Sequence, residues 1–258
     1  MSDARPVRTR TPPPPLRPVQ VISTEALSSR MLRIVLGGDA LDGLVIDEIA
    51  ASVRVLIAWP GEVFVLPEWN GNEFLLADGR RPALRTFTPV ALADNTITLD
   101  IVRHPGGAIS DWAETAQAGD PVAISGPGRG ETIDPNASRY VLLGDETAMP
   151  AIRQLIEAIP ASIDIEVHLE TETADAALPL PDKTTTHWHV ADPDGTPGST
   201  LLAALRTIEI GDNDRVWAAG EAAAVQALRK HLFNERGIDR SRATVRGYWK
   251  VPRPTETD

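Results

Sequence analysis

Two rhythms of apolar and polar residues divide the chain. In the first half, short alternating runs are separated by clusters of Gly, Pro, Asn and Ser, the pattern of half-buried strands. They predict strands over 19–27 and 30–36, joined by a turn at Ser28-Ser29, and over 52–59, 62–66, 73–76, 82–88, 96–103 and 120–125, with one short helix over 108–116. Many short strands with one helix predict a small antiparallel barrel. From Arg139 the rhythm changes. An apolar strand over 140–143 precedes an amphipathic helix over 151–159, with apolar residues at 152, 155, 156 and 159. Strands over 163–169, 186–190, 215–219 and 243–249 then alternate with helices over 199–206 and 221–236. That alternation predicts a parallel sheet covered on both faces. The expected fold is therefore two-domain, β followed by α/β: a Pro-rich tail over 1–18, a barrel over 19–133, a parallel-sheet domain over 139–250 and a polar tail over 251–258.

Composition narrows the chemistry. The chain has 258 residues, enough for two domains, and no cysteine. Disulfides, cysteine-ligated clusters and thiol catalysis are excluded. The net charge of −11 argues against a nucleic-acid partner, so an anionic ligand would need a local cluster of Arg or Lys. The N-terminus carries no apolar signal core and no run approaches a membrane span, so a cytoplasmic location is expected. The oligomeric state is open, with a monomer as the default.

The stretch 80–113 carries the most chemistry. Arg85 and Phe87 lie two apart on a predicted strand and so share a face, and Thr88 follows. The arginine can grip a phosphate bidentately, and the ring can lie against a flat heterocycle. After the next strand comes His104, then a Pro-Gly-Gly turn through Gly107 into a helix start at Ala108, Ile109 and Ser110. Unpaired N–H groups at a helix start suit a pyrophosphate. Together these features suit a flavin dinucleotide. The first strand-to-helix turn of the α/β half, residues 144–150, is where such sheets bind nucleotides. A plain helix start capped by Asp145 or Thr147 is its alternative. The run Gly126-Pro127-Gly128-Arg129-Gly130 lacks the spacing of a dinucleotide fingerprint and is read as the end of the barrel.

Arg85-Thr86-Phe87-Thr88 resembles the Arg-x-Tyr-Ser/Thr flavin motif of the ferredoxin-reductase superfamily. Gly144-Asp145-Glu146-Thr147-Ala148 and the ending Gly247-Tyr248-Trp249-Lys250 resemble motifs of its siderophore-interacting branch. Phe87 stands where the superfamily has tyrosine, and Val90 where family members often carry a further arginine. The resemblance implies an FAD-dependent reductase that takes a ferric siderophore as substrate. It implies electrons from NADPH or NADH and release of iron as Fe(II), which hard oxygen donors hold less tightly. It places FAD against Arg85, Phe87, Thr88, His104, Gly107 to Ser110, Asp145, Thr147, Tyr248 and Trp249. It places the nicotinamide at Gly144, Thr147, Gly220 and Glu221, although Glu221 reads equally well as a carboxylate at a helix start. By motif position, Arg54, Arg129 and Lys250 are the basic residues that would receive an anionic siderophore. Relatives that use ferredoxin carry a longer C-terminal helix, and this chain ends eight residues after Lys250, which favours a nicotinamide donor. No protein acid or base is required, so no catalytic side chain is assigned.

His187 and His189 share a strand face as a metal pair would, but no third ligand is evident and no metal site is assigned. His168 and His231 are read as structural. Two other functions stay open: a flavin reductase or electron-transfer component with a different acceptor, and a siderophore-binding protein without catalysis.

Overall fold

The computed structural model describes residues 13–104 and 106–251. The expected tails over 1–18 and 251–258 therefore lie mostly outside the described residues.

The first half contains β1 (Arg17–Ala26), β2 (Met31–Gly37), β3 (Val53–Ile57), β4 (Glu68–Trp69), β5 (Phe74–Leu75), β6 (Ala83–Phe87), β7 (Pro89–Ala93), β8 (Thr96–Val102), helix α1 (Ala108–Thr115) and β9 (Pro121–Ser125). Seven of these strands form one antiparallel sheet in the order β6-β3-β9-β1-β2-β8-β7, while β4 and β5 form a separate small ribbon. The sheet's two edge strands are separated by a single residue, Thr88, so the sheet must curl until its edges meet there. The result is a half-barrel with Thr88 buried at the seam. Its inside is apolar: Ile34, Leu36, Val55, Ile97, Leu99 and Ile124 are fully buried, and Ile109 and Ala113 of α1 pack against them. Burying each large aliphatic side chain contributes roughly 1.5–3 kcal/mol.

Two expectations in this half need correction. Residues 62–66 alternate as a strand would, yet they are irregular, and Val63 is 87% exposed. Pro60-Gly61 and Pro67 bracket the run and keep it off the sheet. Conversely, β7 was not predicted. It pairs with β8 through a two-residue turn whose central residues, Asp94 and Asn95, have φ of 50° and 57°. Asp and Asn tolerate that left-handed geometry, and it matches the twist of a tight hairpin.

In the second half, β10 (Arg139–Asp145), β11 (Asp164–Thr171), β12 (Thr185–Val190), β13 (Arg215–Glu221) and β14 (Ala243–Trp249) form a wholly parallel sheet in the order β12-β11-β10-β13-β14. Helix α2 (Met149–Ala158) covers one face; α3 (Ser199–Thr207) and α4 (Ala222–Arg229) cover the other. The helix predicted over 221–236 changes character instead of running through. After α4 the chain winds as π-helix over Lys230–Glu235, where Arg236 N–H bonds to the His231 carbonyl at 3.0 Å, and Leu232 is fully buried there. Helix α2 begins two residues earlier than predicted, after a 3₁₀ turn over Glu146–Ala148.

Side chains lock the half-barrel to the parallel sheet. Arg30 pairs with buried Glu146 at 3.0 Å. Gln154 of α2 accepts from Ala50 N–H at 2.7 Å and donates to the Pro89 carbonyl at 2.5 Å. Glu131, just past the half-barrel, accepts from Trp217 Nε1 and pairs with Arg246, each at 3.0 Å. These bonds hold the seam of the first sheet over the carboxyl ends of the second.

Candidate active site at the junction of the two sheets

The strand order of the parallel sheet reverses between β10 and β13, and in open α/β sheets ligands bind at such a crevice. The carboxyl ends meeting there are Gly144-Asp145 and Gly220-Glu221, which belong to the strands themselves and not to turns. A Cβ on Gly144 would lie 2.5 Å from the Ala148 Cβ, so glycine lets the chain fold back into α2. Gly220 has φ of 154°, and a Cβ there would lie 2.5 Å from Asp145 Oδ2. Only glycine lets β13 pass this close to the carboxylate.

Asp145 ties the crevice together. It accepts from Thr147 N–H at 2.9 Å, Thr147 Oγ1 at 2.5 Å, Glu221 N–H at 3.0 Å and Trp249 Nε1 at 2.7 Å. Burial pushes its carboxyl above the ordinary value, against these donors, which favour the anion. Glu221 caps α4, accepting from Ala223 N–H at 2.5 Å and Ala224 N–H at 3.0 Å, with Val251 N–H at 3.3 Å on its other oxygen. Of its two readings, the geometry displays the helix-start role.

Tyr248 joins the two halves. Its phenol faces the side chain of Thr88 at the barrel seam, and its ring meets Trp217 edge-on at 6.3 Å. Burial pushes its phenol up to about 12, so it stays protonated through the physiological range. Trp249 remains 40% exposed. The motif on β6 and the motif ending β14 are more than 150 residues apart in the chain, and the fold places them in contact.

On the barrel side, Arg85 is exposed in the middle of edge strand β6, and Phe87 packs partly against the barrel core. The loop after β8 brings His104 over the start of α1. A Cβ on Gly107 would lie 2.1 Å from His104 Cε1, so the imidazole occupies the space a side chain would take. His104 N–H donates to Ser110 Oγ at 2.8 Å. Gly107 is the N-cap of α1 and offers no side chain, so no side chain caps the first-turn N–H groups of Ala108, Ile109 and Ser110. An exposed arginine beside an uncapped helix start suits the diphosphate of a dinucleotide. The donor set therefore fits FAD.

The three basic positions lie on segments tied to this region. Arg54 on β3 pairs in register with Thr86 on one side and Ser125 on the other. The glycine-rich loop carrying Arg129 is fastened by Gly128 N–H to the Ser52 carbonyl at 2.6 Å and by Arg246 to the Gly130 carbonyl at 3.3 Å. Lys250 follows Trp249 directly, and all three basic side chains are exposed. Sequence reasoning assigned no role to Glu131 or Gln154, which fix the crevice's walls. Nothing local in the sequence marks them, because their partners are distant in the chain.

An antiparallel half-barrel followed by a parallel five-stranded sheet, with its crevice between them, is the ferredoxin-reductase-like class of fold. Residues 20–131 match the siderophore-interacting FAD-binding domain, and residues 137–251 match the siderophore-interacting protein family. The chain belongs to the siderophore-interacting protein family. Among solved structures, a siderophore utilization protein from T. fusca superposes with a TM-score of 0.82 at 32% identity, covering 96% of this chain and 97% of that one. An NADPH-dependent ferric-chelate reductase of Escherichia coli is 29% identical over 90% of this chain and 92% of its own length. A ferric vibriobactin reductase of Vibrio cholerae is 27% identical over 91% and 89%. No helix among the described residues is long and apolar enough to cross a membrane.

Proposed function

We propose that the protein is an FAD-dependent ferric-siderophore reductase drawing electrons from NADPH or NADH. The observation that carries this reading is the convergence at Thr88: the flavin-type motif on β6 and the Gly-Tyr-Trp ending of β14 meet there through Tyr248. Within the same crevice, Trp249 hangs from Asp145.

When bound, the flavin would accept a pair of electrons from the nicotinamide and deliver them singly to Fe(III). The chain's own residues position and screen. Arg85 and the first-turn N–H groups of α1 would hold the diphosphate, with His104 as the lid of that turn. Phe87 presents a ring but no hydroxyl, so the polar contact at this face falls to Thr88 and Tyr248. Gly144 and Gly220 let β10, the start of α2 and β13 pack closely into the crevice floor, over which a nicotinamide would enter. Asp145 and Glu221 are engaged with backbone N–H groups, which suits them to shaping the floor and not to moving protons. Arg54, Arg129 and Lys250 offer local positive charge in a chain of net charge −11, and an anionic ferric complex would be drawn to them.

The test is the visible spectrum of the purified protein under anaerobic conditions. Flavin bands that bleach on adding NADPH and return on adding a ferric siderophore, with ferrous iron trapped, support the reading. Protein that cannot be loaded with FAD sinks it and leaves a siderophore-binding module. Bound flavin that ignores both nicotinamides moves the electron donor elsewhere. Reduced protein that reoxidises with quinones but not with ferric siderophores makes it a different flavin reductase.

A further inference from the structure

The face of the parallel sheet under α3 and α4 is not uniform. Beneath β10, β13 and β14 it is apolar, built from Val141, Leu143, Val216, Ala218 and Val245. In the same layer β11 carries Glu166, His168 and Glu170, and β12 carries His187 and His189. Strands of a covered parallel sheet are normally apolar on both faces, so this polar patch needs a cause. Glu170 has one: it accepts from Gly198 N–H at 2.6 Å and from Thr200 Oγ1 at 2.5 Å, and so caps α3. The other four residues front an open cavity of about 900 Å³, bounded by Arg139, Asp214 and the end of α3. This cavity lies toward the amino ends of the strands, away from the crevice at Asp145 and Glu221.

Within the patch, His168 Nε2 lies 3.0 Å from Glu166 Oε1, and His168 Nδ1 lies 3.0 Å from His189 Nε2. His187 is paired with His168 in register, and their rings stack at 4.6 Å. One ligand atom each from Glu166, His168 and His187 falls within a mutual 4.8 Å. Arg139 holds the second oxygen of Glu166 at 2.8 Å, which turns Oε1 toward the imidazoles.

We propose that Glu166, His168 and His187 form a binding site for a divalent first-row transition-metal ion, distinct from the cofactor crevice, with His189 as the outer partner of His168. Two imidazoles and one carboxylate with an open position are a recurrent donor set for Zn²⁺ and Fe²⁺. Metal bonds of about 2.0–2.2 Å at tetrahedral angles space donors about 3.3–3.5 Å apart. The Glu166–His168 pair therefore needs to open by only a few tenths of an ångström. His187, being exposed, can swing inward by side-chain rotation. The cation takes the place of the proton between His168 Nε2 and Glu166 Oε1; that proton goes to solvent and solvent returns one to His168 Nδ1, so the imidazole stays neutral and no net proton is released. His168 then donates Nδ1–H to His189 Nε2, with the His189 proton moved to its own Nδ1, and this is the second bond that orients metal-bound imidazoles. The remaining position opens on the cavity and would take water.

The experiment uses untagged, chelator-treated protein in its flavin-loaded form, titrated with Zn²⁺ by calorimetry. One Zn²⁺ per chain is expected. His187→Ala and Glu166→Gln should each weaken it at least ~100-fold, and His189→Ala about 10–100-fold. The flavin spectrum should stay unchanged throughout. His187 is exposed, so its variant should keep the wild-type melting curve even if changes at buried His168 do not. Absence of 1:1 Zn²⁺ binding overturns the proposal. So does binding that His187→Ala and Glu166→Gln leave intact, which would mark adventitious surface binding.

Discussion

The two ends of the parallel sheet use polar side chains in opposite ways. At the carboxyl ends, Asp145 and Glu221 spend their oxygens on backbone N–H groups and on Trp249, and two glycines let the chain pack closely around them. In the proposed function that end receives a large planar ligand whose own groups supply the chemistry. Toward the amino ends, Glu166, His168 and His189 bond to one another and Glu166 to Arg139, with His187 stacked on His168, around a cavity. There the side chains themselves are the potential ligands. The same layer of one sheet can thus hold a site defined by backbone and space at one end and a site defined by donors at the other.

The sharpest way to break this contrast is to remove the carboxylate at the crevice. Asp145→Ala leaves the Glu221 and Thr147 N–H groups and the Trp249 indole without their acceptor. Each stranded buried donor costs roughly 1–3 kcal/mol, and water recovers part of that cost here. A loss of about 3 kcal/mol in urea unfolding is expected, with weaker FAD retention as Trp249 comes loose. A loss below ~1 kcal/mol would mean that the floor does not depend on Asp145.

Glu170 gives a smaller effect, because it serves one helix. It sits in the polar layer yet does for α3 what Glu221 does for α4. Glu170→Ala should cost about 2 kcal/mol in the same measurement, within the range of lost caps and stranded donors. Zn²⁺ affinity should change little. A large loss of Zn²⁺ binding would join Glu170 to the histidine cluster and redraw the boundary between capping and ligation.

How far each end could be read from sequence follows from the reach of its bonds. The two-layer plan was legible because strand and helix periods are local, and β14 matches its predicted span. The crevice motifs were legible because family-like wording is also local. What escaped depended on distance. The 62–66 run alternates like a strand but has no pairing partner, and β7, one residue after β6 and opening on a proline, was not read as an element. His187 and His189 showed their shared face, but Glu166 and His168 lie on the neighbouring strand, about 20 residues earlier. Only the register of β11 against β12 brings them together.

A third prediction tests the outer rim of the crevice. Arg54→Glu reverses an exposed charge on β3. If the rim captures an anionic ferric siderophore, KM should rise about tenfold, equivalent to ~1.4 kcal/mol, while kcat and the unfolding midpoint hold. A neutral or cationic ferric chelate should show no such rise. A matching loss for both substrates would move Arg54 from substrate capture to support of the strand.

The smallest effect is silent at neutral pH and separates the two ends by titration. The chain has two tyrosines. Tyr140 lies near the amino end of its strand, where its hydroxyl accepts from Asp134 N–H at 2.6 Å, and burial raises its phenol above the ordinary value. Tyr248 lies at the junction and is raised further, to about 12. Unfolded phenols lose their protons near pH 10, whereas the folded ones keep theirs, so the unfolded state binds fewer protons in that window. Stability should therefore be unaffected below about pH 10 and fall as pH rises toward 12. Tyrosinate absorbance of the native protein should lag that of urea-unfolded protein. Tyr248→Phe should remove the later-titrating component and most of the alkaline slope, and Tyr140→Phe the lesser part. If Tyr248 titrates near its ordinary value instead, solvent reaches the seam at Thr88, and the two halves are less tightly closed there than their contacts indicate.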